Sequence, residues 1–260
     1  MTLRRARRGA ATLVLCLSLV AVLAATGCSP FGGSVHRSAA ADAPGRAGGK
    51  DAAPERRDTP SVVMFLGDSY TVGDGRPRPE TTYASATARL LGWQVVVGGR
   101  SGTGFVVKRR DAFLGLFESQ LGWRPAPDML IVSGGHNDFR IPAPQVAAAA
   151  HLLLERARQR WPRTHIVLMG PIWGTGTPPQ GAIAVRDALR NLAGQLGVPF
   201  VDPIGERWIT GDPRTGAGNA PQYIKLDRTH PNDAGHRYLA TRLVADLRRL
   251  GLDQPVRKSA

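Results

Sequence analysis

Short apolar runs alternate along this chain with longer segments in which apolar residues recur at helical spacing. The apolar runs are continuous, which is typical of strands covered on both faces. They predict strands at Ser61–Leu66, Trp93–Val97, Met129–Ser133, Ile166–Met169 and Val198–Val201. The other segments predict helices at Tyr83–Leu91, Phe113–Leu121, Ala143–Arg160, Ile183–Leu196 and Ala234–Leu250. Strands that alternate with helices in this way indicate an α/β fold built on a parallel, doubly wound sheet of five strands.

The first 27 residues have the pattern of an export signal. An arginine cluster at positions 4–8 precedes an apolar stretch at 10–25, which ends in Ala25-Thr26-Gly27-Cys28. Small residues before a cysteine resemble a bacterial lipobox, in which the cysteine is lipidated and begins the mature protein. We therefore expect a signal peptide at 1–27 and an exported protein held by lipidated Cys28 at the outer face of the cell membrane. The alternatives are plain secretion and an uncleaved anchor, although the apolar stretch is shorter than the roughly 20 residues a membrane span needs.

Residues 28–60 show no hydrophobic periodicity and are rich in Ala, Gly, Pro, Ser and charged residues. This composition predicts a disordered tether after the lipidated cysteine. One folded domain is expected at 61–252, followed by a flexible tail at 253–260. The two cysteines are Cys16 and Cys28, and Cys16 lies in the predicted signal peptide, so no disulfide is expected.

The chain is strongly basic, with 34 Lys and Arg against 20 Asp and Glu and a net charge of +14. Lysine occurs only four times, so the excess is almost entirely arginine. A nucleic-acid-binding protein concentrates its basic residues in one run or stripe. Here the arginines are scattered beyond the amino terminus, so we interpret the charge as a solvated basic surface and expect no nucleic-acid partner.

We expect functional residues in the loops that follow the strands, because open parallel sheets bind ligands at the carboxyl ends of their strands. Two of these loops carry polar residues after glycine, and a third is rich in glycine. A further polar stretch precedes the last predicted helix. The four stretches are Gly67-Asp68-Ser69, Gly98-Gly99-Arg100-Ser101-Gly102-Thr103-Gly104, Gly134-Gly135-His136-Asn137-Asp138 and Asp227-Arg228-Thr229-His230-Pro231.

Taken together and in this order, the four stretches resemble the sequence blocks of the SGNH (GDSL-type) hydrolases, which hydrolyse esters of varied kinds. The resemblance covers most of the predicted domain and implies a flavodoxin-like, three-layer sandwich. It implies that Ser69 is the nucleophile and that Asp227 and His230 are the acid and base. It also places the family's glycine on Gly102 and its asparagine on Asn137.

Elementary chemistry agrees with these roles. A serine hydroxyl is a weak nucleophile until a base takes its proton, and imidazole suits that task near neutral pH. A carboxylate on the other ring nitrogen holds the imidazole in the right tautomer and orientation. The backbone N–H groups of Ser69 and Gly102 and the side-chain amide of Asn137 would stabilise the oxyanion. Activity is then expected to fall as the pH drops through the ordinary titration range of imidazole, near pH 6.5.

Other residues have weaker functional readings. Asp233 and His236 repeat the spacing of Asp227 and His230, but they fall at and inside the last predicted helix, as a cap or first-turn acid and a surface or packing residue. His136 departs from the family pattern, in which smaller residues are common at this position. The chain has no phosphate loop, no dinucleotide fingerprint, no metal-ligand spacing and no Gly-x-Ser-x-Gly elbow. We therefore expect no metal and no cofactor.

The predicted function is serine-dependent ester hydrolysis, by an esterase or lipase or by a carbohydrate O-deacetylase. Two alternatives stay open: an acyltransferase acting on cell-envelope glycans through the same acyl-enzyme, and a non-catalytic surface binding module. Two long loops rich in Gly and Pro, at 171–181 and 203–226, carry Trp173, Trp208 and Tyr223 and are candidates for the substrate pocket. The sequence leaves the natural substrate and the oligomeric state open.

Overall fold

A computed structural model of the protein describes residues 59–75 and 78–259. The predicted signal peptide, Cys28 and nearly all of the predicted tether lie outside these ranges. Within them the chain forms a parallel sheet of five strands. These strands are β1 Val62–Gly67, β2 Gln94–Gly99, β3 Met129–Ser133, β4 His165–Met169 and β5 Phe200–Val201.

The strand order is β2-β1-β3-β4-β5, and every neighbouring pair is parallel. The chain therefore leaves β1 towards one edge of the sheet to form β2 and then returns past β1 to form β3. The carboxyl ends of these three strands lie side by side, with Gly67 opposite Gly99 on one side and Ser133 on the other. This is the switch point at which open α/β sheets hold their ligands.

Helices cover both faces of the sheet and give the molecule three layers. Helices α2 and α7 contact each other on one face, while α4 and α5 contact each other on the other. The helices are α1 Ser69–Val72, α2 Tyr83–Leu91, α3 Phe113–Leu116, α4 Ala143–Arg160, α5 Gln180–Leu196, α6 Ala220–Tyr223 and α7 Asp233–Arg249.

Strand β1 shows why the apolar runs are continuous. Val63 and Phe65 face the cluster that contains the buried side of α7, whereas Met64 and Leu66 face the cluster that contains α4 and α5. Successive side chains of a strand point to opposite faces, so a strand covered on both sides needs apolar residues throughout. The predicted α/β class and five-stranded parallel sheet are confirmed.

Local differences from the prediction have identifiable causes. The predicted helix at Phe113–Leu121 is α-helical only to Leu116, and Phe117–Leu121 forms a wider π-turn. Strand β5 is shortened to Phe200–Val201, because only two residue pairs join it to β4 at the edge of the sheet. The four-residue helices α1 and α6 are too short for any apolar period to reveal them.

The sequence predicts a flexible tail from Asp253 onwards, but the carboxyl-terminal segment packs against the domain. The carbonyl of Asp253 accepts a hydrogen bond from the indole of Trp93 at 3.0 Å, and the carbonyl of Pro255 accepts one from the Ser61 hydroxyl at 2.9 Å. Backbone hydrogen bonding near the strand starts overrides the polar composition on which the prediction was based. None of the helices in the described ranges combines the length and apolar character that a membrane crossing requires.

Candidate active site

The structure brings four of the predicted stretches together at the carboxyl edge of the sheet. Ser69 follows β1, Gly102 follows β2 and Asn137 follows β3, so the three loops are neighbours because their strands are neighbours. His230 reaches the same edge from the loop before α7, and its ring contacts Ser69. The strand order therefore assembles residues that are up to 161 positions apart in the chain.

Ser69 is the first residue of helix α1. Asp68 caps this helix, and its carboxylate accepts a hydrogen bond from the amide of Tyr70 at 3.0 Å. The helix folds tightly over the end of β1, where a side chain on Gly67 would overlap Thr71 and the carbonyl of Ser133. Ser69 is only 4 % exposed, and its amide belongs to the first turn, where helical N–H groups have no intrahelical partner.

A continuous chain of polar contacts joins Ser69, His230 and Asp227. Nε2 of His230 lies 3.1 Å from Oγ of Ser69, and Nδ1 lies 2.7 Å from Oδ2 of Asp227. An ionised carboxylate can only accept, so we assign the ring proton to Nδ1. The lone pair of Nε2 then faces the serine hydroxyl, as a general base requires.

A tight turn shapes the histidine loop around Asp227. Its other oxygen, Oδ1, accepts hydrogen bonds from the amides of Thr229 and His230, each at 2.9 Å. Partial burial alone would raise the pKa of Asp227, but these amides and the imidazole outweigh it and hold the pKa below its ordinary value. The Tyr70 hydroxyl donates to the carbonyl of Thr229 at 2.5 Å and so ties the loop to the helix that carries Ser69.

Gly102 and Asn137 border the site from the loops after β2 and β3. Gly102 has a φ of 73°, and open space surrounds the position that a β-carbon would occupy. The amide nitrogen of Asn137 donates to the carbonyl of Thr103 at 2.8 Å and makes a long contact of 3.4 Å with Oδ2 of Asp68. One amide hydrogen is thus firmly held while the other has a weak partner.

Asp138 anchors the glycine-rich loop. Its carboxylate accepts three backbone hydrogen bonds, from the amides of Phe105, Val106 and Val107 at 2.8, 3.1 and 3.0 Å. The contacts fix the loop after β2 against the loop after β3, and so set the distance between Gly102 and Asn137.

An aromatic wall of three partly buried rings flanks the site. The wall consists of the rings of His136, Trp173 and Phe139. The centroid of the His136 ring lies 5.3 Å from that of the Tyr70 ring and 4.4 Å from that of the Trp173 ring. The centroid of the Phe139 ring lies 5.5 Å from that of Trp173, in an edge-to-face arrangement. Nδ1 of His136 lies 3.0 Å from the carbonyl of Ile172, so this nitrogen carries the ring proton. Burial lowers the pKa of His136 to about 4, which keeps its ring neutral near pH 7.

The competing Asp233–His236 pair plays a structural part. Asp233 is a first-turn acid of α7, and Asn232 is the residue that caps this helix. His236 is buried, and its Nδ1 accepts a hydrogen bond from the amide of Tyr83 at 3.2 Å. Burial lowers its pKa to about 4, so the ring stays neutral and packs helix α7 against α2.

Of the described residues, Asp74, Asp227 and His230 come close enough to share a metal ion, with ligand atoms within 4.8 Å of one another. The ammonium of Lys225, however, lies 2.9 Å from each oxygen of Asp74. Asp74, Tyr70 and Lys225 are site neighbours that sequence reasoning missed. Their partners lie more than 150 positions away, so no local pattern marks them.

The chain is similar in sequence and in fold to several known proteins. The chain is 28 % identical over 192 residues to the GDSL lipase Rv0518 of Mycobacterium tuberculosis, covering 70 % of this chain and 79 % of that protein. Its fold is similar to a family two carbohydrate esterase from Clostridium thermocellum, with a TM-score of 0.59 and 21 % identity over 75 % of this chain and 66 % of that one.

Two further solved structures share the fold at low identity. An acetyl-xylooligosaccharide esterase from Geobacillus has a TM-score of 0.55 and 21 % identity over 72 % of this chain and 94 % of that one. The salicylyl-acyltransferase SsfX3 from a tetracycline biosynthetic pathway has a TM-score of 0.56 and 21 % identity over 76 % of this chain and 56 % of that one. The model of the GDSL-like Lipase/Acylhydrolase family matches residues 65–238. The chain belongs to this family of hydrolases.

Proposed function

We propose that this protein hydrolyses carboxylic esters through an acyl-enzyme on Ser69. The observation that carries the proposal is the contact chain from Asp227 through His230 to Ser69, with distances of 2.7 and 3.1 Å. A nucleophile, a base within hydrogen-bond reach and a third group that orients the base are the parts such catalysis needs.

In the first half-reaction, Oγ of Ser69 attacks the ester carbonyl while Nε2 of His230 takes the hydroxyl proton. The imidazolium that forms is stabilised by Asp227 and then gives its proton to the departing alcohol oxygen. In the second half-reaction, water attacks the acyl carbonyl while His230 takes one of its protons. The imidazolium then returns this proton to Oγ of Ser69 as the bond between Oγ and the acyl group breaks, and the acid is released. The order of proton transfers requires a neutral imidazole at the start.

The carbonyl oxygen becomes negative in each tetrahedral intermediate, and the donors proposed for it are the amides of Ser69 and Gly102 and the side chain of Asn137. The Ser69 amide lies in the first turn of α1, where the helix dipole also favours negative charge. The short bond to Thr103 holds the Asn137 amide in place, and an oxyanion can replace its weak 3.4 Å contact with Asp68. A single such donor is typically worth about 10²–10³ in rate.

The proposed substrate pocket extends from the aromatic wall. The loops at 171–181 and 203–226 meet in a small cleft beside Trp173, and the fully buried Trp208 contributes to its lining. Tyr223 instead stacks on Tyr238 at 4.2 Å and supports helix α7. The cleft is small and of mixed polarity, and Trp173 links it to the His136 ring beside Tyr70. Small acyl esters and acylated glycans are the proposed substrates.

Transfer to a glycan hydroxyl uses the same acyl-enzyme, and the two reactions differ only in the acceptor. The triad side chains of His230 and Asp227 are 24 % and 44 % exposed, so water has ready access, which favours hydrolysis. Product analysis with and without a carbohydrate acceptor separates the two reactions. A surface binding module would need no contact between Ser69 and His230.

We further propose that the protein acts outside the cell, anchored through lipidated Cys28. The support is the arginine cluster, the apolar stretch and the small residues that precede this cysteine. Plain secretion is the alternative.

Replacement of Ser69 by alanine tests the proposed chemistry. We expect S69A to lose ester hydrolysis by at least about 10³-fold while its thermal unfolding stays close to that of the unchanged protein. A fluorophosphonate probe should label the unchanged protein and fail to label S69A. S119A, which removes an exposed serine on the π-turn, is the matched control and should keep both activity and labelling. Turnover that survives in S69A would refute the nucleophile.

A further inference from the structure

Asp74 lies beside the proposed catalytic histidine although it belongs to none of the four sequence blocks. It follows helix α1 directly after Gly73, whose amide donates to the carbonyl of Ser69 at 2.9 Å. Gly73 has a φ of 96°, which turns the chain sharply at the end of the helix. The same short helix therefore presents the nucleophile at its start and a carboxylate just past its end.

The carboxylate of Asp74 approaches the nitrogen that Asp227 already binds. Oδ2 of Asp74 lies 3.8 Å from Nδ1 of His230, against 2.7 Å for Oδ2 of Asp227. A shift of about 1 Å would bring the second carboxylate into hydrogen-bond distance. His230 thus faces one bound acceptor and one acceptor nearby.

Lys225 forms an ion pair with Asp74. Its ammonium lies 2.9 Å from both oxygens of Asp74, and its amide donates to the carbonyl of His230 at 2.8 Å. An antiparallel bridge between Ile224 and Pro231 holds the two backbone segments together. Lys225 therefore moves with the histidine loop and ties that loop to the helix that carries Ser69.

The carboxylate of Asp74 is less exposed to solvent than that of Asp227. The side chain of Asp227 is 44 % exposed and that of Asp74 is 30 % exposed. Water competes with the histidine for Asp227, as it does for any exposed charge. We propose that Asp74 is a second positioning carboxylate for His230, and that it accepts the hydrogen bond from Nδ1–H when Asp227 is lost or turned away. This inference rests on the proposed function of Ser69 and His230.

Asp74 stays ionised for this role. Partial burial alone would raise its pKa, but the hydrogen bond from Lys225 and the charges of His230 and Lys225 lower the pKa below its ordinary value. The charged and titratable groups around the His230 ring are Asp227, Asp74, Lys225, Tyr70, His136 and His236. Burial raises the pKa of Tyr70, so its hydroxyl stays neutral. The two other histidines are neutral near pH 7, so the two carboxylates and the ammonium of Lys225 set the local charge.

A set of asparagine variants tests the inference. A serine triad that loses its carboxylate typically drops about 10⁴-fold, because the wrong tautomer then faces the serine. We expect D227N to lose only about 10- to 10²-fold in kcat, since Asp74 can still accept from Nδ1, and D74N to lose less than about 10-fold. The double variant D74N/D227N should reach the full loss of about 10⁴-fold, more than the product of the two single effects.

A variant of Lys225 distinguishes orientation of the His230 ring by Asp74 from a purely structural ion pair between Asp74 and Lys225. In the D227N background, K225M removes the tie but leaves the carboxylate of Asp74, so we expect it to keep activity within about 10-fold of D227N. D74N in the same background should abolish that activity. If K225M and D74N do equal damage there, Asp74 is only the partner of Lys225 and the inference is overturned. D212N, which removes the partner of Arg228 on the same loop, is the matched control.

The pH profile of kcat/KM also tests the inference, because a purely structural role of Asp74 would leave the acid limb of this profile unchanged. Loss of a carboxylate beside the ring disfavours the imidazolium, so D74N should shift the acid limb to lower pH, whereas K225M should shift it to higher pH. Unchanged acid limbs in both variants, or strictly multiplicative effects of D74N and D227N, would also overturn the inference. S69A is assayed in parallel, because activity that survives in S69A would instead refute the proposed function itself.

Discussion

Asp68 serves two neighbours at once. It caps helix α1 through the amide of Tyr70, and it lies against the Asn137 amide at the edge of the site. The carboxyl is almost fully buried, and Asp138 is close enough to add to the effect of burial. Burial therefore raises the pKa of Asp68 to about 7, against an ordinary value of 3.8, although the Tyr70 amide works in the opposite direction.

This shift makes Asp68 a source of pH-dependent stability. Between pH 4 and 7 the folded protein holds the Asp68 proton and the unfolded chain does not, so stability falls as the pH rises through this window. D68N keeps the cap and removes the titration. We expect its unfolding free energy, relative to the unchanged protein, to improve by about 2–3 kcal/mol between pH 5 and pH 8. Chemical denaturation at the two pH values measures it, with D233N, an exposed first-turn acid, as control. A difference that does not change with pH would contradict the assignment.

Site residues could be predicted from the sequence where they stand in short motifs, but not where they are brought to the site by contacts between distant parts of the chain. Ser69, Gly102, Asn137, Asp227 and His230 could be named because each stands in a short, distinctive stretch. The positions of Asp74 and Lys225 could not, since their contact joins residues 151 positions apart. The capping role of Asp68 was foreseeable, but its burial beside Asp138 depends on how the loops after β1 and β3 meet.

Among the elements, the loop after β2 depends most on backbone conformation. Gly102 adopts a φ of 73° with no atoms near its missing β-carbon, so alanine would fit the space but strain the backbone. Gly216 has a φ of 77° and equally open surroundings, and it lies in the loop at 203–226 but outside the lining of the small cleft. The two glycines form a matched pair.

Alanine variants of Gly102 and Gly216 distinguish the effect of backbone strain on stability from a role of Gly102 in catalysis. We expect G102A and G216A each to lose about 1–2 kcal/mol of unfolding free energy. Because a small displacement of an oxyanion donor is costly, G102A should also lose about 10²-fold in kcat, whereas G216A should keep its activity. Denaturation and steady-state kinetics on both variants measure these effects. Equal activities would remove Gly102 from the proposed oxyanion hole.

The elements themselves were largely predictable from hydrophobic pattern. Strand β3 and helix α4 have the bounds that the sequence predicted. Strand β3 is a continuous apolar run between Asp128 and Gly134, and the long helix α4 lies between Pro142 and Pro162. The π-turn at Phe117–Leu121 could not be predicted, because a widened turn keeps nearly the same apolar spacing as an α-helix. Its apolar side chains Phe117 and Leu121 remain buried, so the core is preserved while the backbone changes.

At the scale of the whole molecule, the two edges of the sheet are used differently. The carboxyl edge holds the loops that carry Ser69, Gly102 and Asn137. The carboxyl-terminal segment closes the amino edge, where the carbonyl of Val256 lies 2.7 Å from Nε2 of His165 at the start of β4. The terminal segment therefore supports the fold at one end of the strands, while the candidate site lies at the other.

The proposed location of the protein can be tested with its two cysteines. If Cys28 is lipidated after export, C28S should lose incorporation of a palmitate label and move from the membrane fraction to the soluble fraction, with its specific ester-hydrolase activity unchanged. C16S, in the predicted signal peptide, is the matched control and should keep both the label and the membrane location. C28S loses the proposed lipid anchor altogether, so the expected shift is nearly complete. Membrane retention of unlabelled C28S would point to an uncleaved amino-terminal anchor. Release of the unchanged protein into the medium without label would instead establish plain secretion.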